Sequence, residues 1–230
     1  LIESREKAQR LILAGQVLVA GQVATKPGHT FDPGVVIEVK SLPRFVSRGG
    51  DKLEAAFTTL GLSVEGKVCL DVGASTGGFT DCLLQHGAAR VYAVDVGKGQ
   101  LHWKLRNDPR VVVLDQVNAR YLKPADCPET PERAVVDVSF ISLTKVLPAV
   151  IPVLARSADI VALIKPQFEV GREQVEKGGV VRDEEVRRGV IAKIRAWAES
   201  EAKLKWQGGC DSPLAGPAGN LEFVAYWKKE

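Results

Sequence analysis

Residues 68–81 read VCLDVGASTGGFTD, and this stretch decides the fold. An apolar run ends in a carboxylate, small residues follow it, and a helical pattern opens after them. Small residues let the backbone approach a ligand closely, and the exposed amides at a helix start offer hydrogen bonds to it. The stretch therefore predicts a buried strand, a ligand-binding turn and a helix, in that order.

Further apolar runs of strand length follow along the chain, and helical patterns lie between several of them. The five runs are residues 68–71, 91–96, 111–114, 134–138 and 160–164. Continuous apolar strands that alternate with helices predict a parallel sheet covered on both faces. Near the end, residues 204–206 and 221–227 flank a Gly/Pro-rich loop, which predicts a closing antiparallel hairpin. We therefore expect a three-layer α/β sandwich with a mixed sheet, Rossmann-like in its strand-turn-helix units, over residues 51–230.

The first part of the chain has a different pattern, typical of a small α+β module over residues 1–42. Ser4 is a plausible N-cap of a short helix that ends near Gly15. Valines then alternate around Gly21 as in a tight hairpin, and residues 35–39 form another strand-like run. Residues 43–50 read as a linker, and an amphipathic helix follows it.

Composition narrows the function classes. The 230 residues are 45% hydrophobic and 26% charged, which is ordinary for a globular protein. Apolar stretches are too short to span a membrane, so we expect a soluble, cytoplasmic protein without a membrane partner. Four cysteines lie far apart without a C-x-x-C pair, which argues against a zinc site and against a disulfide framework. Because the chain has no methionine and begins at Leu1, we expect native residues to be missing from it.

The glycine-rich turn is the predicted cofactor site. The glycines run G-x-x-x-G-G, whereas a dinucleotide fingerprint needs G-x-G-x-x-G, and the nearby acidic residue suits the cationic methionine tail of S-adenosylmethionine. A dinucleotide site and a turn without a ligand remain alternatives. Asp95 ends the next strand, at the position where doubly wound folds bind ribose hydroxyls. Asp115 and Asn118 either reach the adenine edge or make local turn bonds. The candidate cofactor residues are Asp71, Gly73, Ala74, Ser75, Thr76, Gly77, Gly78, Phe79, Asp95, Asp115 and Asn118.

Four charged residues at the ends of predicted elements are the candidate catalytic group: Lys52, Asp137, Lys165 and Glu222. We expect Lys52 at the start of a helix, Asp137 and Lys165 at strand ends, and Glu222 within the last strand. Ligands of open α/β sheets bind beyond the carboxyl ends of the strands, so these groups are expected to meet there. Taken singly, each has an alternative interpretation as a solvated surface charge or a helix cap.

Six motifs in this sequence resemble those of the TlyA (haemolysin A) family, and the match covers nearly the whole chain. They are residues 47–53 (SRGGDKL), 71–81, 93–97 (AVDVG), 137–142 (DVSFIS), 165–169 (KPQFE) and 216–222 (GPAGNLE). Members of that family resemble FtsJ-type ribose methyltransferases, which have a class I methyltransferase fold and a Lys-Asp-Lys-Glu tetrad. The resemblance implies that the four candidate catalytic residues form this tetrad. It also implies S-adenosylmethionine as cofactor and 2′-O-methylation of a cytidine in ribosomal RNA, in the large and in some members also the small subunit.

In this interpretation each member of the tetrad has a role. Lys165 receives or orients the proton of the ribose hydroxyl. Asp137 holds Lys165 and favours the cationic methyl donor, while Lys52 and Glu222 fix the hydroxyl and the second lysine. Methyl transfer is an in-line displacement for which positioning supplies much of the acceleration, so no metal is expected.

The N-terminal module resembles the RNA-binding module of ribosomal protein S4, although the usual first helix of that module is missing. The matching motifs are residues 4–12 (SREKAQRLI), 15–21 (GQVLVAG) and 26–28 (KPG). The candidate RNA-binding residues, in this module and the following linker, are Arg5, Lys7, Arg10, Lys26, Arg44 and Arg48. They would contact phosphates of ribosomal RNA or of a ribosomal subunit, and the alternative is a merely solvated basic surface.

Two other function classes are alternatives to the interpretation as an RNA methyltransferase. One is a haemolysin or pore-forming protein, which the older family name suggests; the other is a non-catalytic RNA-binding factor that kept the fold. The polar loop at residues 167–182 is long enough to act as a lid, or is a mobile loop without a ligand role. The target nucleotide, the form of the RNA substrate and the oligomeric state are left open by the sequence.

Overall fold

The computed structural model describes residue 2, residues 4–40 and residues 43–230. It divides the chain into two compact units, Leu1–Arg44 and Phe45–Glu230. The boundary expected at residue 42 lies outside the described residues. Among those residues, no helix combines the length and the apolar composition that crossing a membrane requires.

The first unit consists of one helix and a small antiparallel sheet. Its elements are α1 (Arg5–Leu13), β1 (Val17–Val19), β2 (Gln22–Val23) and β3 (Ile37–Val39), with strand order β2-β1-β3. The hydroxyl of Ser4 accepts a hydrogen bond from the backbone amide of Lys7 at 3.2 Å, as a helix N-cap does. Ala20 and Gly21 both have positive φ between β1 and β2, which closes the tight hairpin expected from the sequence.

The second unit is a seven-stranded mixed sheet between two layers of helices, so the predicted fold class is confirmed. Its strands are β4 (Val68–Val72), β5 (Arg90–Asp95), β6 (Val111–Asp115), β7 (Arg133–Val136), β8 (Asp159–Ile164), β9 (Leu204–Asp211) and β10 (Phe223–Lys229). Its α-helices are α2 (Gly49–Leu60), α3 (Gly78–Gln85), α4 (Trp103–Arg106), α5 (Leu143–Val150) and α6 (Glu184–Ser200). Short 3-10 helices lie at Ala119–Tyr121, Pro124–Asp126, Ile151–Val153, Pro166–Phe168 and Arg172–Gln174.

The strand order of this sheet is β6-β5-β4-β7-β8-β10-β9. The first five strands in that order are parallel, and β10 runs antiparallel to both β8 and β9. The closing hairpin predicted from the sequence is therefore present, with its second strand inserted beside β8. Because β10 runs opposite to β8, the beginning of β10 lies at the edge where the parallel strands end.

Two apolar layers hold the sheet in place, one on each face. One contains buried side chains of α5 and α6, together with Trp227 from β10. The other contains buried side chains of α2 and α3, with Leu53 and Leu83 among them. The strands between them, β7 and β8, are buried along their whole length, which explains why they are continuous apolar runs in the sequence.

The segment expected to be a linker is partly built into the second unit. Phe45 is only 3% exposed and packs in the layer that contains α2. Gly50 makes this possible, since a Cβ there would lie 2.2 Å from Cγ of Phe45. Helix α2 begins at Gly49, inside the expected linker.

Candidate active site

Lys52 and Glu222 form a buried ion pair at the carboxyl edge of the sheet. The Nζ atom of Lys52 lies 2.5 Å from Oε2 of Glu222, and the two side chains are 10% and 1% exposed. Lys52 belongs to the first turn of α2, whereas Glu222 immediately precedes β10 instead of lying within it as the sequence predicted. The difference arises because regular pairing with β8 starts only at Phe223, which faces Ile164.

Lys165 and Asp137 form a second ion pair at the same edge. Nζ of Lys165 is 2.6 Å from Oδ1 of Asp137 and also donates a hydrogen bond to the hydroxyl of Ser139 at 3.0 Å. Asp137 follows β7 directly and Lys165 follows β8 directly, so adjacent parallel strands deliver the two groups side by side. The contact with Ser139 has no signal of its own in the sequence beyond the short DVSF motif that contains it.

The two ion pairs meet at one cleft of about 220 Å³. Lys52 and Asp137 both line this cleft, and each is paired with one of the other two members of the tetrad. The other lining residues come from the glycine-rich turn, from the start of α2 and from the loop before β10: Ser47, Arg48, Gly49, Gly73, Ala74, Ser75, Thr76, Gly78, Phe79 and Pro217. The structure thus brings together the four residues that the sequence singled out, beside the turn expected to hold the cofactor.

The glycine-rich turn owes its shape to residues with positive φ. Gly73 has φ of 87°, Ser75 of 50° and Gly77 of 96°. A Cβ at Gly73 would lie 2.4 Å from the carbonyl oxygen of Asp137, so only glycine lets the turn pass this close to the end of β7. The backbone amide of Ser75 donates to the carboxylate of Asp95 at 2.8 Å, which ties the turn to the end of β5.

A second cleft, of about 400 Å³, adjoins the first, and Gly73, Ser75 and Asp137 line both. Asp95 lies in its wall at the end of β5, where a carboxylate can accept hydrogen bonds from ribose hydroxyls. The remaining wall is mostly apolar: Val94, Val96, Val117, Val138, Phe140, Ile141 and Val146, with Gln100, Asn118, Ala119 and Ser139 as neighbours. A carboxylate beside an apolar slot fits an adenosine group, so the residues present suit S-adenosylmethionine.

Asp71 lies beneath the turn and is fully buried. The Thr80 hydroxyl donates a hydrogen bond to Oδ2 of Asp71 at 2.6 Å, while among the described residues no hydrogen-bond partner reaches Oδ1. Burial raises the pKa of the Asp71 carboxyl to about 7. Asp71 lines neither cleft, and its direct contact with the cofactor therefore stays a prediction.

Asp115 and Asn118 differ in their relation to the adenosine-sized cleft. Asp115 accepts hydrogen bonds from the guanidinium of Arg106 at 2.8 Å and from the amide of Gly99 at 3.1 Å, and this partnership with Arg106 lowers its pKa. It does not line the cleft, and its contact with the adenine edge stays a prediction. Asn118 does line the cleft, and its side-chain oxygen also accepts from the amide of Arg120 at 3.1 Å.

The candidate RNA-binding residues belong to both units. In the first unit, Arg5, Arg10 and Lys26 are exposed, Lys7 is half-buried and Arg44 is exposed at the last position. In the second unit, exposed Arg48 precedes α2 and lines the tetrad cleft. Their contact with phosphates stays a prediction.

Asn220 is a residue of this region that sequence reasoning did not single out. It is 2% exposed, its Oδ1 accepts from the amide of Val181 at 2.9 Å, and its Nδ2 donates to the carbonyl of Gly179 at 2.8 Å. Asn220 therefore fastens the end of the polar loop to the segment that carries Glu222. This end of the expected lid is therefore anchored. The only signal for Asn220 in the sequence is that it lies in the GPAGNLE motif.

Two family models match the chain, one for each unit. The model described as FtsJ-like methyltransferase matches residues 45–229, and the S4 domain model matches residues 1–37. The expected S4-like module and the methyltransferase fold are therefore confirmed.

Proteins similar to this chain come from several bacteria. The 16S/23S rRNA (cytidine-2′-O)-methyltransferase TlyA of Mycobacterium tuberculosis is 48% identical over all of this chain and 86% of its own length. The 23S rRNA (cytidine-2′-O)-methyltransferase TlyA of Campylobacter jejuni is 36% identical over 80% of this chain and 71% of its own length. A solved structure from Streptococcus thermophilus, provisionally named a hemolysin, is 46% identical with a TM-score of 0.82 and covers 99% of this chain and 84% of its own.

Proposed function

Because the chain belongs to the FtsJ-like methyltransferase family, we propose that it transfers the methyl group of S-adenosylmethionine to the ribose 2′-hydroxyl of a cytidine in ribosomal RNA. The observation that supports this most is the meeting of Lys52, Asp137, Lys165 and Glu222 around one cleft beside the glycine-rich turn. Both TlyA relatives are named for 23S rRNA, which favours the large ribosomal subunit as the target.

S-adenosylmethionine, when bound, supplies an electrophilic methyl group on a sulfonium cation. The residues of this chain then position the acceptor hydroxyl and manage its proton. While it is ion-paired, Nζ of Lys165 orients the hydroxyl, and it receives the hydroxyl proton once it has released its own proton to solvent. Asp137 holds Lys165 through the 2.6 Å ion pair, and its carboxylate also favours a nearby positive charge.

Lys52 and Glu222 form the other side of the acceptor position. The Lys52 ammonium can donate to the ribose oxygen while Glu222, almost fully buried, fixes its direction. Since removing one member of a buried pair leaves the other charge without compensation, the two residues act together.

An aromatic pair, exposed Phe140 and half-buried Phe168, gives the target base a surface to stack on. Phe140 is 90% exposed with φ of 64°, and its ring centroid lies 5.1 Å from that of Phe168. RNA-modifying sites commonly hold an unstacked base against aromatic side chains. A cytidine placed there would lie next to the tetrad cleft, because Phe140 shares the wall of the larger cleft with Asp137, which also lines the tetrad cleft.

The S4 unit supplies the general grip on RNA in this proposal. Exposed Arg5, Arg10 and Lys26 contact phosphates and position the RNA without reading its sequence. A ribosomal substrate also implies that the protein acts in the cytoplasm, where ribosomal subunits are assembled.

The experiment is methyl transfer from labelled S-adenosylmethionine to purified ribosomal subunits, followed by mass-spectrometric identification of the methylated nucleoside. The proposal predicts 2′-O-methylcytidine in large-subunit RNA. A base-methylated nucleoside would contradict the proposed acceptor, label in small-subunit RNA alone would contradict the proposed subunit, and no label in any RNA would contradict the enzymatic function.

A further inference from the structure

A cluster of three metal-ligating side chains lies between α2 and α3, apart from the tetrad. Its members are Glu54 on α2, Cys82 on α3 and His86 at the end of α3. Nε2 of His86 is 2.6 Å from Oε2 of Glu54, and Sγ of Cys82 is 3.8 Å from the same oxygen. The three ligand atoms lie within 4.8 Å of one another.

We propose that Glu54, Cys82 and His86 form a binding site for a divalent transition-metal ion, with Zn²⁺ as the best match. Thiolate, imidazole and carboxylate are the ligand types that zinc takes in proteins, and thiolate disfavours Mg²⁺ and Ca²⁺. The Cys82 thiol gives its proton to solvent when the metal binds, since the thiolate is the ligand.

The two separations from the Glu54 oxygen can be compared with those around a tetrahedral metal. Bond lengths of about 2.0–2.3 Å place neighbouring tetrahedral ligands roughly 3.3–3.8 Å apart. The Cys82–Glu54 separation of 3.8 Å is already near this range. The His86–Glu54 separation of 2.6 Å must lengthen by somewhat less than 1 Å, which rotation of the two side chains can supply.

The helical framework holds the ligands in place. Cys82 and His86 are four residues apart, so their side chains lie on the same face of α3. The ring of Phe57 packs against the imidazole of His86 with centroids 4.5 Å apart. Cys82 is fully buried, whereas the side chains of His86 and Glu54 are 29% and 24% exposed, which leaves solvent access for the metal and for a water as fourth ligand.

A metal at this position would connect two helices that build the active site. Helix α2 carries Lys52 two residues before Glu54, and α3 begins at Gly78 in the glycine-rich turn. Metal binding would therefore stabilise the mutual position of these helices without touching the tetrad. The absence of a C-x-x-C pair in the sequence argued against a zinc site. That pattern does not detect this cluster, because Glu54 is 28 positions from Cys82.

The test is a titration of the full-length, metal-free protein with Co²⁺, whose absorption reports both geometry and ligand type. We expect one Co²⁺ per chain, visible bands of tetrahedral intensity, and a thiolate-to-cobalt charge-transfer band. Zn²⁺ should displace the cobalt and raise the melting temperature. Neither readout depends on methyl transfer, so the metal site and the proposed function can fail independently.

Variants assign the signal to the cluster. Cys82→Ser should remove the charge-transfer band. Replacing the more exposed ligand, His86→Gln, should weaken binding by at least about tenfold, the loss that removal of an outer partner of a metal ligand already causes. Cys210→Ser and His29→Gln are the matched controls and should leave the titration unchanged. The proposal would be overturned if the wild-type protein does not bind cobalt stoichiometrically. It would also be overturned if the cobalt spectrum shows no thiolate ligation and His86→Gln leaves that spectrum unchanged.

Discussion

Burying the charged side chains of Lys52 and Lys165 at the edge of the core has a desolvation cost, which their ion-pair partners compensate. Each side chain is about 10% exposed and forms an ion pair within 2.6 Å. Desolvation of a charge costs several kcal/mol unless a partner compensates it. A stable fold has no need for two such pairs at one cleft, so they are better explained by chemistry than by stability.

The four candidate residues and the pairing of Asp137 with Lys165 were predictable from the sequence, whereas the contact of Lys165 with Ser139 was not. Charged residues directly after apolar runs, such as Asp137 and Lys165, signal a site because plain surface charges seldom follow buried strands so closely. The hydrogen bond from Lys165 to Ser139 depends on side-chain directions beyond the end of β7. No local pattern encodes such a contact.

Asp71 gives a pH-dependent prediction. Burial raises its pKa in the folded protein to about 7, while an aspartate in an unfolded chain titrates near 4. Between these values the folded state binds more protons, so the contribution of Asp71 to stability is present below about pH 4 and is lost as the pH rises through about 7. Relative to the Asp71→Asn variant, the wild-type free energy of unfolding should fall by up to about 4 kcal/mol across this range.

Urea unfolding of both proteins in cofactor-free buffer, between about pH 4 and about pH 8, measures this difference. Asparagine cannot titrate, so any pH-independent cost of the substitution cancels from the slope. Parallel stability curves for the two proteins would show that Asp71 is not held in the way described.

The edge of the sheet is where secondary structure creates the site. Strands β7 and β8 run parallel and end together, and β10 runs the other way and begins there. Strand runs and the closing hairpin were readable from apolar patterns. The position of Glu222 just outside β10 was not, because strand limits are set by hydrogen bonding to β8 and not by hydrophobicity.

Gly73 gives a prediction about the turn between β4 and α3. Replacement by alanine would place Cβ 2.4 Å from the carbonyl oxygen of Asp137, at a φ of 87°. Since a backbone atom cannot move aside cheaply, the turn must shift away from β7. We expect the KM for S-adenosylmethionine to rise about tenfold or more, because small displacements of positioning groups are costly.

The matched control is Gly66→Ala, which has a φ of 69° and nothing within 4 Å of the added Cβ. It carries the same kind of backbone strain, about 1 kcal/mol, without the close contact. The control should lose stability but keep the wild-type KM. If Gly73→Ala also keeps it, the close packing of turn and strand end is irrelevant to cofactor binding.

At the scale of the molecule, two units divide the work that the proposed reaction needs. The S4 unit is too small to hold more than a minor apolar core, centred on Leu11, Val17 and Val19. The second unit contains both ion pairs and both clefts. Two-unit organisation was predictable from the change in pattern near residue 43, but the burial of Phe45 in the second unit was not, since it depends on the room left by Gly50.

Neutralising exposed charges of the S4 unit should weaken RNA binding without altering chemistry. Each lost phosphate contact lowers the slope of log affinity against log salt by about 0.7–0.9. We expect Arg5→Gln combined with Lys26→Gln to lower that slope by roughly 1–2 and to leave the rate at saturating RNA unchanged.

Salt-dependent RNA-binding titrations measure the slope. Arg156→Gln, an exposed arginine near the amino end of β8 and therefore far from the tetrad edge, serves as control. An unchanged slope in the double variant would remove these two residues from the RNA interface.

The most direct test of the tetrad is the single-turnover rate of methyl transfer to ribosomal RNA by the Lys165→Ala variant. We expect a rate about 10²–10⁴-fold below wild type, with cofactor affinity nearly unchanged. Lys67→Ala, which breaks the 3.5 Å contact between Lys67 and Asp159 at the opposite edge of the sheet, should stay close to the wild-type rate. A folded Lys165→Ala protein that transfers methyl groups as fast as wild type would contradict the account.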